Sequence, residues 1–351
     1  MNRRVLKEDM DFVINAPNIK WEEFKNQTVL ITGANGFLPA YMVETLLYLN
    51  ETCQLGIRIL ALVRNMEKAR LRFSHHHENK ALVFICHDVS EPLIIDEDIN
   101  YIVHAASQAS PKYYGSDPVG TLKANVLGTY NMLELGRLKK VKSFLFFSSN
   151  EIYGTVPIEL NPQTEETQGY LDPCVVRSCY AESKRMGENM CVSWFHQYGV
   201  KAKIVRIFHS FGPGITLDDG RVFGDFVKSV VEGKDLELNS DGSALRAFCY
   251  VSDATRAFFT VLLNGEIGSA YNMGNPYNEL TIKELAEMLI VMFPEKSISL
   301  KMNVPRNQEG YIRSSLSRGL PDISKIQKLG WNPQINVQEA FRRTIESFNN
   351  D

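Results

Sequence analysis

The stretch TVLITGANGFLPA, residues 28–40, decides the fold. Its first five residues form a short apolar run, which predicts a strand buried in a parallel sheet. Glycines follow at positions 33 and 36, and the apolar face of Tyr41 to Leu49 predicts a helix. A strand, a glycine turn and a helix start direct backbone N–H groups and the positive helix dipole at a pyrophosphate. The stretch therefore predicts a dinucleotide-binding unit.

The two glycines have different expected roles. Gly33 permits the tight turn, and Gly36 allows the backbone to approach the phosphates closely. Pro39 replaces the third glycine of the usual pattern. Because proline is tolerated in a first helical turn, we expect altered packing without loss of the site.

The following strands end at further candidate cofactor contacts. Arg64 stands where an acidic side chain usually holds the ribose hydroxyls of NAD, and it favours NADP by meeting a 2′-phosphate. It can also stack on adenine or simply begin a basic helix, so NAD and NADP both stay open. The predicted cofactor-binding residues are Gly33, Asn35, Gly36, Phe37, Leu38, Arg64, Asp88, Val89, Ala105, Ala106, Ser107, Asn125, Ser148, Tyr180, Lys184 and Phe208.

Strand-like and helix-length segments alternate after this unit. The strand-like runs lie at 59–63, 82–86, 101–106, 143–149 and 203–208. This alternation predicts a Rossmann-type, doubly wound parallel α/β sheet with a smaller mixed α/β substrate domain. The expected division is a lead-in at 1–26, a cofactor domain at 27–208, and a mainly substrate-binding region at 209–351 from which 249–263 returns to the cofactor part.

Composition excludes several classes of protein. The 351 residues carry 38 basic and 41 acidic side chains, a net charge of -3, and no basic block suited to nucleic acid. The apolar runs are too short to cross a membrane, and charges interrupt any N-terminal signal segment. We therefore expect a cytoplasmic protein with neither a nucleic-acid nor a membrane partner.

Metal and disulfide sites are not signalled. The six cysteines form no C-x-x-C pair, which favours free thiols. His75, His76 and His77 lie in the polar segment SHHHENK, for which we expect a solvated loop because no other ligand cluster accompanies them. No metal is assigned.

Tyr180 and Lys184 are the strongest catalytic candidates. They are four residues apart on a predicted helix and share a face, and an ammonium that close favours the phenolate of a tyrosine base. Ser149, at the end of a strand, can hydrogen-bond the same substrate oxygen. With a nicotinamide as hydride acceptor, these groups predict reversible oxidation of an alcohol to a ketone.

At this point the chain resembles the extended short-chain dehydrogenase/reductase family of nucleotide-sugar epimerases, dehydratases and decarboxylases. Within that family it looks most like the UDP-glucuronate decarboxylases. The matching stretches are HAASQASPKYYGSDPVGTLKANVLGTYNML (104–133), RSCYAESKRMGE (177–188), RIFHSFGPGITLDDGRVFGDFV (206–227), LRAFCYVSDA (245–254), YNMGNP (271–276) and LPDISKIQKLGWNP (320–333).

The resemblance implies roles for further residues. Glu151 moves a proton once a C4 ketone has acidified C5, and Asn125 is a structural or active-site polar group. Arg221 and Arg246 grip the nucleotide diphosphate, which suits a planar guanidinium. A homodimer is implied as well, built from the helices around Asn125 to Leu138 and Tyr180 to Tyr198.

The chain departs from its relatives at three positions. Asn150 replaces the acid of the dehydratases, and an amide cannot protonate a departing hydroxyl. Gly319 stands where the decarboxylases carry an arginine, although Arg318 precedes it. His209 replaces an asparagine near the nicotinamide or the substrate phosphate. The predicted substrate-binding residues are Asn150, His209, Arg221, Arg246 and Arg318.

These departures leave the final product open. A cofactor recycled in place gives a decarboxylated, dehydrated or epimerised nucleotide sugar, whereas an exchanging cofactor gives a 4-ketoreductase. A non-catalytic sensor is the remaining alternative. The proton-relay trio of Ser149, Tyr180 and Lys184 disfavours it, because a sensor does not need one.

Overall fold

The computed structural model describes residues 2–217, 220–302 and 318–349. Its strands are β1 (Thr28–Thr32), β2 (Arg58–Val63), β3 (Leu82–Cys86), β4 (Tyr101–His104), β5 (Ser143–Ser149), β6 (Ala202–Ile207), β7 (Ser210–Phe211), β8 (Leu236–Leu238), β9 (Leu245–Ala247), β10 (Cys249–Tyr250), β11 (Ala270–Met273), β12 (Glu279–Thr281), β13 (Leu300–Met302) and β14 (Arg318–Gly319).

Its helices are α1 (Arg3–Ile14), α2 (Phe37–Cys53), α3 (Met66–Arg72), α4 (Pro111–Ser116), α5 (Pro118–Lys139), α6 (Cys179–Tyr198), α7 (Val222–Glu232), α8 (Val251–Asn264), α9 (Ile282–Met292), α10 (Ser324–Gln327) and α11 (Val337–Glu346). Among the described residues, no helix has the length and apolar character needed to cross a membrane.

Seven strands of the described chain form the central sheet, in the order β11-β6-β5-β4-β1-β2-β3, and all pair in parallel. One face packs against α2 and α8, and the other packs against α5 and α6. The Rossmann-type prediction is confirmed. Each strand predicted up to residue 208 is present within two residues of its expected bounds, and β11 extends the sheet from beyond that point.

The second region packs around its own aromatic core. Phe211, Phe248 and Phe341 lie together there, with ring centres of Phe211 and Phe341 4.2 Å apart. Helices α7, α9 and α11 enclose this core. Short strands at its edge bring Gly319 of β14 beside Arg246 of β9, which places the end of the described C-terminal strand near the substrate arginines.

The lead-in is a helix that joins the two regions. Asp9 of α1 is fully buried, and its Oδ2 accepts hydrogen bonds from Tyr41 on α2 (3.0 Å) and from Tyr250 (2.8 Å). Its Oδ1 accepts from Arg343 on α11 at 3.0 Å. The carboxylate of Asp9 therefore links α1 to α2, β10 and α11, which are distant from one another in the sequence.

The solvated-loop expectation for the histidines is met in part. His75 and His77 are exposed residues, whereas His76 is partly buried. His75 and His76 end the short 3₁₀ segment that begins at Ser74, and their rings contact Glu44 of α2, a buried carboxylate. This contact was not predictable from local sequence because Glu44 lies about thirty residues upstream on a different element.

Candidate active site

The glycine turn after β1 requires Gly33. Its φ is 62°, in the left-handed region, and a Cβ there would lie 2.9 Å from the Cα of Ala106. Gly36 is the N-cap of α2, and its N–H donates to the carbonyl of Gly33 at 2.7 Å. The helix start is therefore drawn tightly against the ends of β1 and β4, as a phosphate cradle requires.

A hydroxyl that sequence reasoning missed fixes this cradle. The Oγ1 of Thr32 accepts hydrogen bonds from the N–H groups of Ala105 and Ala106 at 3.1 and 3.0 Å, and lies 2.9 Å from Nδ1 of His104. His104 Nε2 lies 3.1 Å from Thr129 Oγ1. Burial, and then the charge of Lys184, lower the pKa of His104 to about 3, so the ring is neutral. A neutral imidazole between two hydroxyls locks the ends of β1 and β4 together.

The cradle fits a dinucleotide. Ser107 carries a buried hydroxyl with no hydrogen-bond partner in the described chain, and it follows directly on the two alanines that close the turn. An unsatisfied buried hydroxyl needs a ligand atom to pair with it. Asn35, Phe37, Leu38 and Val89 lie around the same turn or the end of β3. Together with Gly33 and Gly36, these residues would hold the cofactor.

Two predicted cofactor contacts stand at the outer end of the cradle. Arg64 is exposed directly after β2. Asp88 follows β3 and accepts hydrogen bonds from the N–H and hydroxyl of Ser90, both at 2.9 Å. Partial burial raises the pKa of Asp88, but these bonds and the charge of Arg64 lower it overall. The carboxylate is therefore ionised near neutral pH, and its contact with the adenine of a cofactor stays a prediction.

Three other predicted cofactor residues have their side chains engaged within the protein. Asn125 is fully buried and donates from Nδ2 to Ser183 Oγ at 2.9 Å, which ties α5 to α6, while its Oδ1 has no partner within the part of the chain that the structure describes. Ser148 donates its hydroxyl to Glu188. Phe208 packs with Ile152 and Tyr153. Direct side-chain contact with a cofactor stays a prediction for all three.

Ser149, Tyr180 and Lys184 come together at the end of β5. Ser149 Oγ accepts a hydrogen bond from the N–H of Glu151 at 3.2 Å, and the Ser149 hydroxyl is close enough to Tyr180 to oppose the rise that burial causes in the pKa of that tyrosine. Lys184 is buried, donates from Nζ to the carbonyl of Phe147 at 2.7 Å, and lies 5.9 Å from the ring centre of Tyr180. The structure thus assembles the three residues that the spacing and the strand end predicted.

The electrostatics of this trio differ from the sequence expectation. Burial, followed by the nearby charge of Glu151, raises the pKa of Tyr180 to about 12, and burial lowers the pKa of Lys184 to about 7. The pKa of Tyr180 is thus raised, whereas the sequence predicted a shift towards neutral pH, because both groups are removed from water. A bound ligand that brings polar groups into this site would change both values.

Glu151 has a partner that the sequence did not reveal. It follows Ser149 in the short 3₁₀ segment Asn150–Tyr153 and pairs with both terminal nitrogens of Arg177, at 2.8 and 3.1 Å. The guanidinium lies 4.6 Å above the ring of Tyr114, which in turn stacks on Tyr180 with ring centres 4.8 Å apart. Glu151 is thereby fixed beside the tyrosine.

The predicted substrate residues meet around Gly319. Asn150 Nδ2 and His209 Nε2 are both buried without a hydrogen-bond partner in the described chain. A Cβ on Gly319 would lie 3.4 Å from the first atom and 3.9 Å from the second. Burial, then the charges of Arg246 and Arg221, lower the pKa of His209 to about 3, so both arginines act on this neutral ring.

Arg318 lies only partly within the described chain. Its backbone forms β14 beside Leu245 of β9, and its side chain lies outside the described residues. Whether it reaches the substrate therefore stays a prediction.

A comparison with protein families matches residues 29–274 to the NAD dependent epimerase/dehydratase family. The chain belongs to this family. UDP-glucuronic acid decarboxylase 1 of Danio rerio is 34% identical over 100% of this chain and 80% of its own length. UDP-glucuronic acid decarboxylase 3 of Arabidopsis thaliana is 35% identical over 92% of this chain and 89% of its own.

A solved structure supports the same fold. The dTDP-glucose 4,6-dehydratase from Streptomyces venezuelae, determined with NAD bound, has a TM-score of 0.76 at 23% identity, covering 92% of this chain and 97% of that one. The family resemblance, the α/β fold, the enzyme class and the nicotinamide dinucleotide cofactor predicted from the sequence are confirmed.

Proposed function

We propose that the protein modifies a nucleoside-diphosphate sugar through oxidation and reduction at C4 of the hexose. The observation that carries this proposal is the meeting of Ser149, Tyr180 and Lys184 beside the glycine cradle. The dinucleotide, when bound, supplies a hydride acceptor and donor. The curated relatives are named for UDP-glucuronic acid, which makes that nucleotide sugar the first substrate to test.

The residues divide the work at the sugar. Tyr180 takes the proton of the C4 hydroxyl and returns it, and Ser149 aligns that oxygen through its own hydroxyl. Lys184, anchored on the Phe147 carbonyl, supplies positive charge when the site is polar enough to keep it protonated. Glu151 is the group that transfers a proton at C5 of the sugar.

Decarboxylation is the favoured outcome among the family reactions. Loss of carbon dioxide from a 4-keto-uronic acid breaks the C5–C6 bond, leaves the electron pair at C5 and adds a proton there, so no leaving hydroxyl needs an acid. Dehydration does need one, and Asn150 supplies only an amide. The nitrogens of Asn150 and His209 beside Gly319, which have no hydrogen-bond partner among the described residues, are suited to hold the C6 substituent.

A second candidate is an NADPH-dependent 4-ketoreductase or a 4-epimerase. The specific observation for the reductase is the exposed Arg64 at the end of β2, positioned for a 2′-phosphate. A reductase consumes one NADPH for each ketone reduced, whereas a decarboxylase with a recycled cofactor shows no net consumption.

Mass spectrometry of products distinguishes these outcomes. The protein is incubated with UDP-, dTDP-, CDP- and GDP-sugars, including 4-keto sugars with NADPH. Conversion of UDP-glucuronate to a UDP-pentose with release of carbon dioxide supports the decarboxylase. Turnover of a 4-keto sugar alone, with equimolar NADPH consumption, supports the reductase, and no turnover with any nucleotide sugar contradicts the proposal.

We also propose a homodimer formed by α5 and α6, as in the family resemblance. The two helices pack on each other and leave large apolar side chains exposed, including Val119, Leu122, Leu127, Tyr130, Met186, Val192 and Phe195. Exposed apolar groups of this extent favour association. Light scattering tests this: Leu122→Glu with Met186→Glu should give a monomer, and Leu71→Glu, on the exposed side of α3, should not.

The proposal includes a cytoplasmic location. All six cysteines lie in the described chain and are free thiols, three of them exposed, which is typical of proteins from a reducing compartment. Fractionation of the producing cells tests it.

A further inference from the structure

A compact group of metal-ligating side chains lies away from the candidate active site. Glu44 belongs to the second turn of α2 and is 5% exposed, and His75 and His76 follow the end of α3. His76 Nε2 lies 2.8 Å from Glu44 Oε2, and His75 Nε2 lies 3.2 Å from the same oxygen. All three ligand atoms lie within 4.8 Å of one another.

The arrangement converges on one point. Both histidines present the same ring nitrogen to the carboxylate, with ring centres 4.2 Å apart. Two imidazole nitrogens and one carboxylate oxygen are a donor set that Zn²⁺ binds readily. In a tetrahedral zinc site, neighbouring ligand atoms are about 3.3 Å apart, given metal–ligand distances of about 2.0–2.1 Å. The two nitrogen–oxygen separations approach this value.

The surroundings leave room for a fourth ligand. The side chain of His75 is 26% exposed and that of His76 is 12% exposed, so water reaches the outer side of the group. On the inner side are Tyr41, whose hydroxyl is bound to Asp9, and Arg72, whose Nη1 donates to the carbonyl of Gly214 at 3.0 Å. Among the described residues, no ion pair within 4 Å joins Arg72 to Glu44. The carboxylate faces the histidines.

We propose that Glu44, His75 and His76 bind one divalent transition-metal ion, with Zn²⁺ the preferred occupant and water as the fourth ligand. The ion has a structural role: it links α2 to the segment that joins α3 to β3. The N-terminus of α2 forms part of the phosphate cradle. The ligands are separate from Ser149, Tyr180 and Lys184, so the ion takes no part in the proposed sugar chemistry. In the competing arrangement no metal binds, and protonated imidazoles of His75 and His76 pair with the carboxylate of Glu44.

Calorimetry on the metal-free full-length protein tests the site. Zn²⁺ should bind with a stoichiometry of one, and His76→Asn should weaken the dissociation constant at least about tenfold, since one of three protein ligands is lost. His77→Asn is the matched control, because His77 is exposed and adjacent in sequence but faces away from Glu44. The dissociation constant of His77→Asn for Zn²⁺ should equal that of the unaltered protein.

Co²⁺ absorption distinguishes this site from the exposed thiols Cys53, Cys86 and Cys174. Bands of a tetrahedral nitrogen–oxygen site, without thiolate-to-cobalt charge transfer, support the proposal. Thermal unfolding supplies a third readout, in which Zn²⁺ raises the midpoint of the unaltered protein and of His77→Asn but not of His76→Asn. Absence of stoichiometric binding, a thiolate spectrum, or equal loss in His77→Asn overturns it.

Discussion

Arg177 donates two parallel hydrogen bonds to the carboxylate of Glu151, and the same guanidinium covers the ring of Tyr114, which stacks on Tyr180. Both members of the ion pair are about three-quarters buried. The orientation of the glutamate and the position of the tyrosine are thus set by one continuous stack. The relationship makes Arg177 a positioning residue for both.

Arg177→Lys should reduce turnover about tenfold or more. Lysine keeps the charge but cannot form the two-point contact or cover the Tyr114 ring, so Glu151 loses its fixed orientation. Steady-state kinetics with the nucleotide sugar that the mass-spectrometric assay finds to be turned over measure the loss. Arg58→Lys, which alters an exposed pair with Glu97, is the control and should leave kcat unchanged. Equal rates in the two variants would show that Arg177 positions nothing.

Tyr180→Phe should lower turnover about 10³-fold, because proton transfer by a positioned side chain contributes about 10²–10⁴. Cofactor affinity should be preserved, since the ring and its stacking on Tyr114 remain. Single-turnover kinetics measure the loss of rate, and fluorescence titration measures the affinity for the dinucleotide. Tyr113→Phe, on the exposed side of α4, is the control. Full residual activity in Tyr180→Phe would contradict the proposed mechanism.

Lys184→Met should change how stability depends on pH. Burial lowers the pKa of Lys184 to about 7 from 10.5, so the unfolded chain binds its proton more tightly between these values. The contribution of this group to stability therefore rises as pH increases through that range. Between about pH 7 and pH 9 the native chain should gain about 2 kcal/mol relative to the variant.

Urea unfolding at both pH values measures this difference. Lys203, whose pKa burial lowers to about 8, contributes equally to both proteins and cancels. Parallel stability curves for the two proteins would show that Lys184 is not desolvated.

Asp9→Asn should lower the free energy of unfolding by about 2 kcal/mol near neutral pH, because Asn cannot accept hydrogen bonds at both side-chain positions. The affected partners are Tyr41, Tyr250 and Arg343. Asp11→Asn on the same helix, where the carboxylate is exposed and pairs with Lys7, should cost well under 1 kcal/mol.

The difference in stability between the native chain and Asp9→Asn should depend on pH, and its sign follows from the pKa of Asp9. Burial raises the pKa of Asp9 to about 6 from 3.8, against the opposing effects of its three partners. Its contribution to stability is present below the unfolded value and is lost as pH rises through about 6. From about pH 5 to pH 7 the native chain should lose about 1 kcal/mol relative to Asp9→Asn. A stability difference that does not change with pH would instead mean that Asp9 is ionised throughout this range.

Arg64→Ala should weaken NADPH binding about tenfold more than NADH binding, because only NADPH carries the 2′-phosphate. Fluorescence titration of both reduced dinucleotides measures the ratio. Arg70→Ala, an exposed arginine on α3, is the control. Equal losses for the two cofactors would favour stacking of Arg64 on adenine over phosphate recognition.

The features that were predicted from the sequence all rest on short-range patterns of residues. The strand, glycine turn and helix at 28–49, and the four-residue spacing of Tyr180 and Lys184, are short-range features that predict a fold and a catalytic face directly. The expected effect of Lys184 on the tyrosine did not follow, because spacing says nothing about how far both groups are removed from water.

The contacts that were missed join distant parts of the chain. Arg177 reaches Glu151 across 26 residues, Thr32 reaches the end of β4 across more than 70, and the histidines reach Glu44 across about 30. The sequence around each of these residues does not indicate which distant residue it contacts. Only the arrangement of the sheet and its helices brings them together.

The position of α1 has a consequence for the order in which the chain folds. The N–H of Asn2 donates to the carbonyl of Ser347, and Asp9 binds Arg343, so α1 rests on α11, which follows it by more than 300 residues. Contacts of such separation in sequence form late. During synthesis the buried face of α1 therefore stays uncovered until α11 has emerged to pack against it.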